Sequence, residues 1–145
     1  YIIPFGKARL EVSATDEAVR AGESCAVITY GMGVHWARNA VQQRFVGQVD
    51  VLDLRTLEPI DWPAIEALAQ KHGKVLVVTE EPAPNSFAEA LAGRIGRLCY
   101  KYLDGPVEVI GSACVPGIPM NEGLEVAYLQ GIDGVGKALS KVMSW

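Results

Sequence analysis

Short apolar, β-branched runs alternate along this chain with stretches in which apolar positions recur every three or four residues. Cys25 to Tyr30 (CAVITY) reads as a buried strand, and Val34, Ala37, Val41 and Phe45 behind it share one face of a helix. Residues 49–54 (VDVLDL) form the next strand-like run, and the charged segment after it closes on Pro59. Asp61 then stands at a helix N-cap position, Pro63 fits the first turn, and Ile65, Leu68 and Ala69 line the inward face up to His72-Gly73. Lys74 to Thr79 (KVLVVT) is apolar enough to be a strand covered on both faces.

Beyond a loop containing Pro82 and Pro84, Ser86-Phe87-Ala88-Glu89 has the form of a capping box. It opens a helix whose apolar line is Phe87, Leu91, Ile95, Leu98 and Tyr102. Gly93 and Gly96 inside that helix each cost about 1 kcal/mol against Ala, so both are expected to mark a close backbone approach. Val107 to Ile110 predicts a further strand, residues 111–119 a Gly- and Pro-rich excursion, and Val135 to Met143 a C-terminal helix. The lead-in, residues 1–24, is less regular, with Ala8 to Val12 as a possible edge strand. A strand that ends in a charged loop and turns at once into a helix is the unit of a parallel sheet. The predicted fold is therefore α/β: a single three-layer α/β/α, doubly wound domain over residues 1–145 with a mostly parallel sheet.

Composition narrows the function more than the fold. A chain of 145 residues buries roughly 68–70% of its unfolded surface and needs no covalent staples. No apolar run approaches the ~20 residues of a membrane-crossing helix, and the opening YIIPFGKARLEV lacks the form of a signal peptide. The start at Tyr1 rather than Met leads us to expect a piece of a longer chain. Net charge is −4 with pI near 5.2 and no basic cluster, which argues against nucleic-acid binding. Cys25, Cys99 and Cys114 are odd in number and widely spaced, as expected of reduced cytosolic thiols rather than disulfides or metal ligands.

Candidate chemistry gathers at the predicted strand ends. Gly31-Met32-Gly33 between a strand and a helix, with Asp53 at the end of the next strand, is nearly a dinucleotide fingerprint. The third glycine place holds Trp36, which blocks the close packing that glycine permits, so Gly31 and Gly33 read as turn glycines. His35, in the first turn of that helix, is either a partly exposed helix-start residue or a hydrogen-bonding residue at an interface or channel. His72 next to Gly73 is explained by the favourable position of positive charge at a helix C-terminus. Glu80 and Glu81 end a strand as adjacent carboxylates, read as one solvated and one bonded to backbone N–H groups rather than as a general acid. Arg55 has the fork geometry to clamp a carboxylate or phosphate, although an ion pair or partner contact fits its place better. Asp53, Arg55 and Glu80 are expected to cluster at the ends of adjacent strands and to position rather than transfer protons. No Ser has a His and an acid in a nucleophile-elbow setting, and no metal site is expected.

Six segments carry a resemblance to a known family: IPFGKA (Ile3 to Ala8), ITYGMGVHWA (Ile28 to Ala37), VDVLDLRTLEPID (Val49 to Asp61), GKVLVVTEE (Gly73 to Glu81), YLDGPVEVIG (Tyr102 to Gly111) and VPGIPMNEGLE (Val115 to Glu125). Together they resemble the transketolase C-terminal-like domain of the β subunit of thiamine-diphosphate-dependent 2-oxo acid dehydrogenases, of the branched-chain 2-oxoisovalerate or pyruvate type. Where the family usually has paired glycines before the helix Phe, this chain has Asn85-Ser86; where an acid follows that Phe by three residues, it has Ala90. Cys114 replaces an acid in the later loop, and Ser13 to Ala21 lengthens the lead-in. These departures fit a divergent branch, an α/β-fused parent among its possible forms.

The resemblance implies that the parent enzyme decarboxylates a 2-oxo acid and acylates a lipoyl group. Its thiamine diphosphate and Mg²⁺ would lie between the α subunit and the N-terminal domain of the β subunit, not on this domain. The implied partners are the α subunit or α part, a second β subunit and the lipoyl acyltransferase core, in the cytoplasm or a mitochondrial matrix. No residue here is then catalytic, cofactor-binding or metal-binding. His35, Trp36, Asp53, Arg55, Glu80, Glu81, Asn85, Pro116 and Met120 are the expected interface or positioning residues. Two rivals stay open at this point: a transketolase or deoxyxylulose-phosphate synthase domain, and a stand-alone α/β ligand-binding module.

Overall fold

The computed structural model describes residues 2–145; Tyr1, where the lead-in begins, lies outside them. Five strands, β1 (Arg9–Val12), β2 (Cys25–Thr29), β3 (Val49–Asp53), β4 (Val75–Pro82) and β5 (Glu108–Ser112), form one sheet in the order β1-β3-β2-β4-β5. β1 runs antiparallel to β3 at the edge, and the other pairings are parallel. The helices are α1 (Asp16–Arg20), α2 (Met32–Arg44), α3 (Trp62–His72), α4 (Phe87–Cys99), α5 (Glu122–Tyr128) and α6 (Gly131–Met143).

The layers follow from the two-residue period of a strand. Cys25 and Val27 of β2, with Leu76 and Val78 of β4, face one core cluster, which α2 covers with Trp36, Ala37, Ala40 and Val41 and α6 with Val135, Leu139 and Val142. The alternate positions Ala26, Ile28, Val75 and Val77 face a second cluster under α3 (Ile65, Leu68, Ala69) and α4 (Ala88, Leu91, Ala92, Ile95). Ile28, Ile65, Leu76, Ile95 and Leu139 have no exposed surface, and each such side chain contributes about 1.5–3 kcal/mol. This is the doubly wound, three-layer α/β/α arrangement that the periodicity predicts.

Local signals placed the helix ends well. Asp61 caps α3, its carboxylate accepting the Ala64 N–H, and Gly73 ends the helix at φ 67°. The second Asp61 oxygen accepts the Ala8 N–H at 3.0 Å, which ties the lead-in to the helix start. Ser86 caps α4 by accepting the Glu89 N–H at 3.0 Å. The reciprocal bond of the box is displaced by one residue, because the Glu89 carboxylate takes the Asn85 N–H at 2.6 Å while the Ser86 N–H goes to Ala83.

Other expectations need correction. The buried line of α4 is Ala88, Leu91, Ala92, Ile95 and Cys99, whereas Leu98 and Tyr102 are well exposed. A side chain added at Gly93 or Gly96 would meet open space, so neither glycine serves a close backbone approach. β4 runs on to Pro82, which pairs with Ser112 across a register shift. Short helices α1 and α5 escape the pattern because they bury almost nothing: α1 has no buried residue and α5 only Tyr128. Their signal lies in the caps Thr15 and Asn121. α6 begins four residues earlier than its apolar positions suggest, at Gly131 rather than Val135.

His72 is also more than a charge at a helix end. Its Nδ1 lies 2.8 Å from Ser24 Oγ and its Nε2 2.9 Å from Asp50 Oδ2. The Nε2 approach is too bent for a well-aligned hydrogen bond and acts as a close electrostatic contact. Burial pushes the Asp50 carboxyl up, but His72, the Lys71 ammonium at 2.7 Å and the Ala14 N–H at 2.6 Å together overcome this and hold it at about 2. Ser, His and Asp here do not make a nucleophile, because Ser24 is 1% exposed and the group is enclosed at the N-terminal ends of the strands.

Candidate functional site

The C-terminal ends of the parallel strands carry the charged loops. From β2 the chain crosses to β3 on one side and then returns to β4 on the other, so the order reverses between β2 and β4. Open α/β sheets bind ligands in the crevice at such a reversal. A cavity of about 470 Å³ lies there, with Tyr30 and Gly31 behind β2 and Thr79, Glu80 and Glu81 from β4. Phe87 of α4, Leu57 of the loop between β3 and α3, Ile118, and Glu125, Tyr128 and Leu129 around α5 complete its wall.

Glu81 is held rather than loose. Its Oε1 accepts the Tyr30 hydroxyl at 2.7 Å and lies 3.3 Å from Thr79 Oγ1. The expectation of a carboxylate bonded to backbone N–H groups is thus corrected: its partners are two hydroxyls. Burial, with Glu81 adding to it against the opposing Thr79 bond, pushes the Tyr30 hydroxyl up to about 12. Tyr30 is therefore a donor at neutral pH and not a proton shuttle. Its ring meets Phe87 edge to face at 5.6 Å, a geometry aromatic pairs favour. Sequence reasoning reached Glu80 and Glu81 but missed Tyr30, Thr79 and Phe87. The available signal was that Tyr30 and Thr79 close two parallel strands at the same edge.

Across Gly31 lies a second cavity of about 480 Å³, lined by Arg9 and Glu11 of β1, Val34, His35 and Arg38 of α2, and Asp53 and Arg55 after β3. Arg9 pairs with Glu11 at 3.1 Å, and Arg38 reaches the same carboxylate at 4.0 Å. The Asp53 carboxylate accepts the Arg55 N–H at 2.9 Å and steadies Arg55 at φ 59°.

The expected cluster of Asp53, Arg55 and Glu80 is not formed: Asp53 and Arg55 share one cavity, which His35 also lines, and Glu80 is separated from them. β2 lies between β3 and β4 in the sheet, so the strands are not adjacent and their end residues open into different cavities. Trp36 is 9% exposed within the first core cluster, which corrects its assignment to a partner surface. Met120 is wholly exposed and Pro116 exposed, on a loop well apart from the core. Asn85 is exposed at φ 60°.

The two turn glycines have different uses. A side chain on Gly33 would strike the Thr29 hydroxyl and come within 3.3 Å of Val78, so this glycine lets α2 approach the sheet. Gly31 has φ 58° and caps α2 without a side-chain bond. Among the described residues no group of three or more His, Cys, Asp or Glu is placed to hold a metal ion. No helix is long and apolar enough to cross a membrane.

Comparison with known proteins agrees with this architecture. The family described as transketolase, C-terminal domain, matches residues 15–135. The chain is 33% identical to the 2-oxoisovalerate dehydrogenase subunit beta of Bacillus subtilis (strain 168), over 98% of this chain and 42% of that protein. It is 28% identical to the pyruvate dehydrogenase E1 component subunit beta of Rhizobium meliloti (strain 1021), over 98% of this chain and 29% of that protein. It therefore spans less than half the length of these curated relatives. A solved structure titled split gene transketolase, inactive beta4 tetramer, superposes with a TM-score of 0.74 at 17% identity, over 99% of this chain and 44% of that one.

Proposed function

This chain belongs to the transketolase C-terminal domain family, and from that premise we propose that it is the C-terminal domain of the β subunit of a 2-oxo acid dehydrogenase. Its role is assembly and partner docking. The parent decarboxylates a branched-chain 2-oxo acid or pyruvate with thiamine diphosphate and acylates a lipoyl group; this domain itself supplies no catalytic residue. Its partners are the α subunit or α part, a second β subunit and the lipoyl acyltransferase core, in the cytoplasm or a mitochondrial matrix.

One observation carries the docking role. Val115, Ile118, Met120, Leu124 and Val126 are 40%, 71%, 103%, 61% and 72% exposed, all within one loop and the short helix α5 behind it. Apolar groups concentrated on one exposed segment mark an interaction surface, and Met is enriched at interface cores. His35, Asp53 and Arg55 at the same end of the sheet supply the polar part of the contact. Sedimentation velocity of the 145-residue chain over a wide concentration range tests the reading. Self-association that Ile118→Glu together with Val126→Glu abolishes is the expected result. A strict monomer at every concentration, with or without the substitutions, removes the docking role.

A further inference from the structure

The cavity where the strand order reverses borders the exposed apolar segment, sharing Ile118 with it, and has a chemical character of its own. Three of the residues lining it, Glu80, Glu81 and Glu125, are carboxylates, and none is Lys, Arg or His. The neighbouring cavity across Gly31 carries both signs, three arginines and His35 together with Glu11 and Asp53. The cavity at the reversal, by contrast, has carboxylates and no basic residue in its lining. Its remaining wall is mainly apolar and aromatic, with Tyr30, Phe87 and Tyr128 among the lining residues. Aromatic faces attract cations and add to a carboxylate contact.

One carboxylate is preorganised. Tyr30 and Thr79 hold Glu81 through Oε1, and Oε2 accepts no hydrogen bond from the described residues. A donor entering the cavity meets a fixed, charged acceptor beside a ring. Size decides what kind of donor. About 470 Å³ lies in the range of ~300–1,000 Å³ found for sites that take small organic molecules, and exceeds what a single inserted side chain fills.

The geometry points to a binding site for a small organic cation, an ammonium or amidinium group carried on an apolar or aromatic body, with Glu81 as its charged partner. The cationic head pairs with Glu81 Oε2, and the body lies between Phe87, Leu57 and Ile118. Glu80 and Glu125 at the mouth raise the local cation concentration and exclude anions. The inference does not rest on the family reading, and of the apolar docking residues it shares only Ile118.

Benzamidine, benzamide and benzoate share a shape and differ in charge. Titration of each into the ¹⁵N-labelled 145-residue chain, followed by amide chemical shifts, tests the site. Benzamidine is expected to give saturable shifts at Gly31, Glu81 and Phe87, with benzamide and benzoate giving none. Glu81→Gln should weaken benzamidine by at least about tenfold, the loss expected for one charge-assisted bond. Glu125→Gln, on an exposed helix that the core does not need, should weaken it a few-fold, and reads the site even where the Glu81 variant folds poorly. Equal shifts from benzamide, benzamidine shifts that map elsewhere, or unchanged affinity in both variants would overturn the proposal. So would shifts of the same amides on simple dilution of unliganded protein, which would make a second copy of this chain the occupant.

Discussion

Asp50 Oδ2 lies 2.9 Å from His72 Nε2, with both side chains fully enclosed, and this contact joins the start of β3 to the end of α3. The Nδ1 of the same ring lies 2.8 Å from Ser24 Oγ. Lys71 and the Ala14 N–H complete the carboxylate's shell. One aspartate thus ties the lead-in, a strand and a helix together.

That arrangement predicts a specific acid response. The Asp50 carboxyl is lowered from 3.8 to about 2 in the folded protein. A depressed carboxyl contributes stability in full above its unfolded value, and loses it as pH falls through the folded one. Stability should therefore decline from about pH 4 down to about pH 2 through this group, and Asp50→Asn should flatten that part of the curve. Asp50→Ala should cost about 3–5 kcal/mol at neutral pH, because it leaves His72 and Lys71 facing an empty buried site. Urea denaturation at stepped pH values measures both.

Gly93→Ala and Gly96→Ala should each stabilise the protein. Both residues are inside α4 with open space where a methyl group would go. Alanine lowers the entropy of the unfolded chain and favours the helix by about 0.5–1 kcal/mol per site. A rise in melting temperature of about 2–4 °C for each kcal/mol is expected from thermal unfolding. A fall at either site would mean that the glycine has a packing use after all.

Gly73→Ala should act in the opposite direction. The residue has φ 67°, and a Cβ there would stand 2.6 Å from Asp104 Oδ2 and 3.1 Å from the Tyr102 carbonyl. Left-handed strain of about 1 kcal/mol adds to the displacement of that loop. A loss above about 1.5 kcal/mol is expected, with the same denaturant slope as the native chain. The double change Gly73→Ala with Asp104→Ala should recover the steric part only.

Asn85 stands at φ 60°, and its N–H is bonded to Glu89. Asn85→Gly should be within about 0.5 kcal/mol of neutral, since both residues tolerate this conformation. Asn85→Val should lose about 1–2 kcal/mol, because a β-branched residue is poorly accommodated there. Chemical unfolding of the pair checks it, and a Val variant as stable as the native chain would contradict the backbone reading.

The chain's periodicity by itself determined the layers of this fold. Near-continuous apolar runs in β2 and β4 call for cover on both faces of the sheet, and three-to-four spacing in α2 and α3 specifies helix faces that supply it, because burial of apolar area dominates the energy. Asp61, Gly73 and Ser86 were equally legible, since a cap acts on backbone groups within one turn. Strand order was not legible, and it decided the site. Asp53 ends β3 and Glu80 lies near the end of β4, yet only the placement of β2 between these strands sends the two into separate cavities. Trp36 looked like a surface residue near a turn because nothing local reveals that α6, a hundred residues downstream, closes over it. The pairing of Asp50 with His72, and of Glu81 with Tyr30, arises between residues far apart in the chain. Such contacts depend on register and crossing geometry, and only the folded chain supplies those.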